Sequence, residues 1–231
     1  MAKRKPLLTH VERQLRSDGA LCVTFCNASV RRPFQSYDDL LAWGLEVGAV
    51  DDSDGRRLAA AAAASPGQAT GVLRSARGLL ARLERVLQTL AGGQSPGASD
   101  LRELNSRLRR AMAHRQLDPA GKQWTWGDAE DDDLDRPLWP VLLSAAELLT
   151  SEDRRRVHLC VGQDCGLFFI ANGGGRGRKW CDRKCSNRHS SRVHYTRHLK
   201  PVRQKWAREK ADRQRMRLAG YQSEWPLKSE A

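Results

Sequence analysis

Two pairs of cysteines near the C-terminus constrain this chain more than any other feature. Cys160 and Cys165 enclose four residues, Cys181 and Cys185 enclose three, and fifteen residues separate the pairs. Two close pairs of soft thiolates supply the closed tetrahedron that zinc prefers, one pair from each of two short turns. The spacing predicts one structural zinc ion held by Cys160, Cys165, Cys181 and Cys185. Four thiolates saturate the ion, so no open water position is implied and the site is not catalytic. His158 and His189 are near enough in sequence to replace one thiolate. Neither pair is C-x-x-C, which argues against a redox disulfide.

The intervening residues fit such a module. Gly162 and Gly166 are expected to let the first turn fold back around the ion, and the first two residues of the Phe168-Phe169-Ile170 run to continue as a strand that covers the metal with apolar surface. Gly173, Gly174, Gly175 and Gly177 predict a flexible, hairpin-like loop. Trp180 is expected to pack against the phenylalanines, with the second cysteine pair at a helix start, where the positive end of the helix favours thiolate.

Charge is divided unevenly. Residues 1–150 hold 20 Lys and Arg against 19 Asp and Glu, whereas residues 151–231 hold 20 against 8. Nearly all of the net charge of +13 therefore lies in the last third, a concentrated positive field that attracts polyanions. Basic helices for a membrane surface need a large apolar face, and none is read here. No export signal and no long apolar run is found, so a reducing cytoplasm is expected, where paired thiols favour metal over disulfide.

The first 150 residues read as mainly helical after a flexible stretch over 1–14. Leu21 to Asn27 is rich in β-formers and alternates loosely, predicting a short strand with Asn27 at its exit. Cys22 and Cys26 fall on one face of it and are read as buried apolar residues. Ser36 to Trp43 opens a helix with an acidic first turn and with Leu40, Trp43 and Val47 on one face. Six alanines follow Leu58. Ser65 and Pro66 are the cap and first residue of a strongly amphipathic helix containing Val72, Leu73, Leu79, Leu80, Leu83, Val86, Leu87 and Leu90. Gly92 to Gly97 ends it, and a second helix from Ser99 through Leu104, Leu108 and Met112 runs back against it. Gln123 to Trp126 reads as a strand, Asp128 to Asp135 as a solvated acidic loop, and Pro137 onward as a helix ending near Leu149.

Trp180-Cys181-Asp182-Arg183-Lys184-Cys185-Ser186-Asn187-Arg188, with Cys160, Cys165, Phe168 and Phe169, closely resembles the CGNR zinc finger found at the C-terminus of bacterial transcription regulators. Ser186 stands where that motif has glycine. The segment around Phe25 and Asn27 and the helical region to about 150 resemble the ABATE domain that precedes the finger in that family. The resulting fold class is mainly α with short β-strands. A helical domain over 15–150, for sensing or dimerisation, precedes a small treble-clef-like or ribbon-like zinc finger over 151–200. A basic C-terminal arm over 201–231 completes the chain.

The resemblance implies a DNA-binding regulator, while charge and zinc alone fit an RNA-binding or ribosome-associated module or a zinc-stabilised adaptor equally. Arg176, Arg178, Lys179, Arg183, Lys184, Arg188, Arg192, Arg197 and Lys200 form the expected phosphate-binding surface. Asn187 and Arg188 are the residue types that pair bidentately with adenine and guanine, while polar residues beside a zinc ligand equally serve to cap the helix or bond thiolate sulfur, for Asn187 above all. One finger offers limited contact area, so a homodimer would bring two half-sites into reach. Pro201 is expected to kink or restart the helix, Lys205 to pair with Glu209 and Arg208 with Asp212, and Gly220 to end it. Few apolar residues beyond Trp206, Met216 and Leu218 are read as available for burial there. His194 and His198 have helical metal spacing without a third ligand. No nucleophile with a base, phosphate loop or paired carboxylate marks an enzyme.

Overall fold

The computed structural model describes residues 20–117, 121, 124–127, 133–171 and 177–223. The chain divides into two compact units, Met1–Asp182 and Arg183–Ala231.

The first unit is built on α1 (Leu21–Arg31), α2 (Tyr37–Glu46), α3 (Asp52–Ala64), α4 (Pro66–Ala91), α5 (Ala98–Met112) and α6 (Trp139–Thr150). The segment expected to be a strand is the first half of α1. Every residue from Cys22 to Asn27 is buried, because α1 is the central helix, packed on α4 and α6. A helix buried all round has no polar face, so its sequence lacks the 3.6-residue period, and Val23, Thr24 and Phe25 then imitate a strand. Phe25 anchors an aromatic cluster, its ring centroid 5.1 Å from Trp43 and 5.6 Å from Phe34.

Local chemistry sets the helix ends. Ser36 and Asp39 form a reciprocal capping box at α2, and the Asp51 carboxylate accepts from the backbone N–H groups of Ser53 and Asp54 at α3. Pro66 begins α4 as expected, although the Ser65 side chain makes no capping bond. The α4 and α5 helices are tied by Asp100, which accepts from Arg82 at 2.8 Å and from Arg85 at 3.0 Å. Asp54 on α3 forms a buried ion pair with Arg136.

Two antiparallel ribbons complete this unit. The first pairs β1 (Arg115–Leu117) with β2 (Trp124–Trp126); β2 was expected from the sequence and its partner was not. Asp128 to Asp132 of the acidic run lie outside the described residues. The run's end is engaged rather than merely solvated: Asp133 lies 3.2 Å from His114, and Asp135 accepts from the Trp139 indole at 3.0 Å. The second ribbon pairs β3 (Val157–Leu159) with β4 (Phe168–Ile170). Alternation along β4 sends Phe168 and Ile170 into the helical core with Val157, while Phe169, outside that cluster, is fully buried on the other face.

The second unit is one exposed helical rod. It runs through α7 (Arg183–His194), a wide π turn (Tyr195–Leu199) and α8 (Lys200–Ser223). Lys200 N–H donates to the Tyr195 carbonyl, five residues back. Pro201 lacks an N–H and would clash with a carbonyl in the preceding α-turn, so the wide turn just before it is the adjustment its ring requires. The helix passes through Gly220 rather than ending there. Among the described residues, no helix is long and apolar enough to cross a membrane.

Candidate metal centre and basic helix

The first pair of thiols is delivered by a tight knuckle after β3. Cys160 N–H donates to the Leu167 carbonyl at 2.9 Å, and Cys165 N–H donates to the Gly162 carbonyl at 3.1 Å. Left-handed backbone falls at Asp164 (φ 59°) and Gly166 (φ 65°). Gly166 therefore acts as anticipated, whereas the turn takes its other left-handed residue from Asp164, a type that tolerates this region. Gly162 contributes its N–H, which donates to Cys160 Sγ at 3.4 Å.

The second pair is brought in by backbone contacts and by α7. Val161 N–H donates to the Lys179 carbonyl at 3.0 Å, and Cys181 N–H donates to Cys160 Sγ at 3.4 Å. Cys185 lies in the first turn of α7. The sulfur atoms of Cys160, Cys165, Cys181 and Cys185 all lie within 4.8 Å of one another, and Cys165 and Cys181 are 3.6 Å apart. A tetrahedron with zinc–sulfur bonds of about 2.3 Å has sulfur–sulfur edges of about 3.8 Å. The donor set therefore fits one zinc ion, whose contribution is structural: it joins the knuckle to the start of α7. His158 and His189 are not in the cluster, and no other group of three or more metal-ligating side chains occurs among the described residues.

The electrostatics separate Cys160 from Cys22 and Cys26. Burial alone would raise the Cys160 thiol, but hydrogen bonds from the Cys181 and Gly162 N–H groups, with those of the Cys165 and Cys181 side chains, hold it below the ordinary thiol range. Cys22 and Cys26 sit in apolar surroundings, where burial pushes the former up to about 11 and the latter well above its usual value. They are inert core residues.

Phe169 is the floor of the module. Its cross-strand neighbour His158 lies 5.6 Å away, and the Arg178 guanidinium sits 4.7 Å from the ring centroid. Arg178 also donates to the Trp180 and Cys181 carbonyls. Its side chain is thus engaged in holding the second knuckle, a role that residue type alone does not reveal. Trp180 is half-buried.

Arg176 lies outside the described residues. Lys179 is exposed, and so are Arg183, Lys184, Asn187, Arg188, Arg192, Arg197 and Lys200 along the second unit. The Arg188 guanidinium also reaches Cys185 Sγ at 3.9 Å. Ser186 occupies the first turn of α7, half-buried. Farther along, Lys205 pairs with Glu209 at 3.9 Å as expected, whereas Asp212 takes Arg215 rather than Arg208. His194 and His198 are exposed and face each other.

A helical domain is followed by a four-cysteine cluster and a basic helix. Two family models match in order: ABATE, described as "Putative stress-induced transcription regulator", over residues 19–152, and the CGNR zinc finger over residues 156–198. The chain belongs to the ABATE family and carries a CGNR zinc finger. A comparison with curated proteins gave no match.

Proposed function

We propose that the chain is a DNA-binding transcription regulator of the cytoplasm and nucleoid, with a zinc-shaped surface that meets the duplex. The observation that carries this reading is the charge of the second unit. From Arg183 to Ser223 there are thirteen Lys and Arg and two acidic residues. Arg183, Lys184, Arg192, Arg197 and Lys200 are exposed and have no ion-pair partner among the described residues. Such charges release condensed counterions when they meet phosphates, which drives binding without help from any apolar contact. Arg178 and Lys179 border the same knuckle, and Arg176 precedes them in sequence. Asn187 and Arg188, exposed one turn into α7, are the candidates for base-edge contact in this reading.

RNA is the competing partner. Single-stranded RNA is read by stacking bases on accessible rings, and in the finger Phe168 and Phe169 are 3% and 0% exposed. Those two rings are unavailable for stacking, whereas Trp180 is half-buried and Tyr195 is 41% exposed. Genome-wide footprinting beside RNA crosslinking of the same zinc-loaded protein tests the choice. A recurrent DNA site is expected; enriched RNA without one reverses the assignment.

A further inference from the structure

Where α1 turns into α2 the chain encloses a cavity of about 160 Å³. Its buried wall is made by Phe34, Trp43 and Val47. The Phe34 and Trp43 rings meet edge to face with centroids 5.9 Å apart, so two aromatic surfaces form a corner. The other wall is charged and more open, with Arg31, Arg32, Asp39 and Glu46. Three of these four are already committed. The Asp39 carboxylate accepts from the Gln35 and Ser36 N–H groups at 2.9 and 3.0 Å and faces Arg32 at 3.6 Å. Glu46 is engaged in a polar interaction of its own. Arg31 is exposed and has no hydrogen-bond or ion-pair partner among the described residues. An aromatic corner thus shares one cavity with an uncommitted guanidinium.

We propose that this cavity binds a single-ring aromatic carboxylate, with the ring in the corner of Phe34 and Trp43 and the carboxylate on Arg31. Size sets the ring, since an apolar cavity of about 150 Å³ holds one benzene. Charge sets the carboxylate: a guanidinium presents two parallel N–H groups that match its planar pair of oxygens. A ligand with a cationic group would bring that charge beside Arg31 and find Asp39 already bonded. A bare anion such as phosphate would satisfy Arg31 and leave the aromatic corner without a partner. Apolar walls with a few placed polar groups are the common make-up of small-molecule sites. The proposal rests on this cavity alone and is independent of what the basic helix binds.

Calorimetric titration of the full-length, zinc-loaded protein with benzoate, phenylacetate and salicylate tests it, with benzyl alcohol, benzylamine and inorganic phosphate beside them. At least one of the three acids is expected to bind at one site per chain, roughly tenfold or more tighter than benzyl alcohol, as a charge-assisted hydrogen bond implies. Arg31→Ala is expected to bring the acid down to the affinity of the alcohol. Ala42→Phe, which fills the cavity from α2, is expected to abolish binding. Both positions are exposed, and a melting temperature and zinc content equal to wild type confirm that each variant is folded. Failure of all three acids to bind, or binding undiminished in either variant, overturns the proposal. So does benzylamine binding more tightly than the acids, or phosphate displacing them at equal concentration. No nucleic acid enters the assay, so its result stands apart from that of the regulator reading.

Discussion

The side-chain amide of Asn27 pairs with the backbone of Phe168 as another strand would, donating to its carbonyl and accepting from its N–H, each at 2.9 Å. Asn27 is fully buried and lies 141 residues away in sequence. One side chain on the central helix thus closes the edge of the ribbon that carries the zinc knuckle.

Replacing Asn27 with Ala leaves the Phe168 N–H and carbonyl without partners in a dry interior. Each such loss costs about 1–3 kcal/mol, so the variant is expected to unfold at markedly lower urea, by roughly 2–5 kcal/mol in total. Equilibrium denaturation followed by tryptophan fluorescence checks this. A loss under 1 kcal/mol would show that the pairing is incidental.

Thiol chemistry should divide the six cysteines into four and two. In the native zinc-loaded protein a maleimide is expected to label none of them quickly. After chelation Cys160, Cys165, Cys181 and Cys185 become reactive, while Cys22 and Cys26, 1% and 0% exposed, react only on global unfolding. Mass spectrometry of the labelled peptides reads the pattern, and metal analysis is expected to return one zinc per chain, lost in the Cys181→Ser, Cys185→Ser double variant.

Asp54 and Arg136 have side chains 6% and 10% exposed. Breaking such a pair by removing one partner is strongly destabilising, about 3–5 kcal/mol, whereas replacing both with apolar residues is often neutral. Asp54→Asn is therefore expected to lower stability severely, and Asp54→Leu with Arg136→Met to recover only part of it, because Asp54 also pairs with Arg57 and Arg136 also donates to the Gly127 and Trp126 carbonyls. Thermal denaturation of the three proteins decides; a double variant as unstable as the single one would assign the pair a role beyond charge balance.

Phosphate contacts leave a signature in salt dependence. Lys184→Ala, Arg192→Ala and Arg197→Ala together are expected to reduce the slope of log K against log salt by about 2 to 3, since each lost contact removes about 0.9. Titration of a fluorescent duplex over a range of salt measures it. An unchanged slope would place the duplex elsewhere on the protein.

Much of this was legible before any coordinates. The metal ligands follow from spacing, because thiolates are costly to assemble for any other purpose, and α4 and α5 follow from leucine periodicity between glycine and proline punctuation. The central helix was misread for a physical reason: with Cys22 to Asn27 buried on every side, neither period survives in the sequence. The structural part of Arg178's role is not legible, since a guanidinium over Phe169 has the same sequence signature as one awaiting a phosphate.

The two faces of β4 have a further consequence. Phe168 and Ile170 belong to the core of the helices and Phe169 to the finger, yet all three are held by one short strand. The gap between the two family matches, residues 153–155, is therefore a seam in the sequence without being a seam in the folded molecule. A finger excised there would carry Val157, Phe168 and Ile170 into water, and a helical domain ending there would be left with an open socket and an unsatisfied Asn27. Loss of the metal should accordingly be felt at the middle of α1, making zinc occupancy a property of the whole first unit rather than of a detachable module.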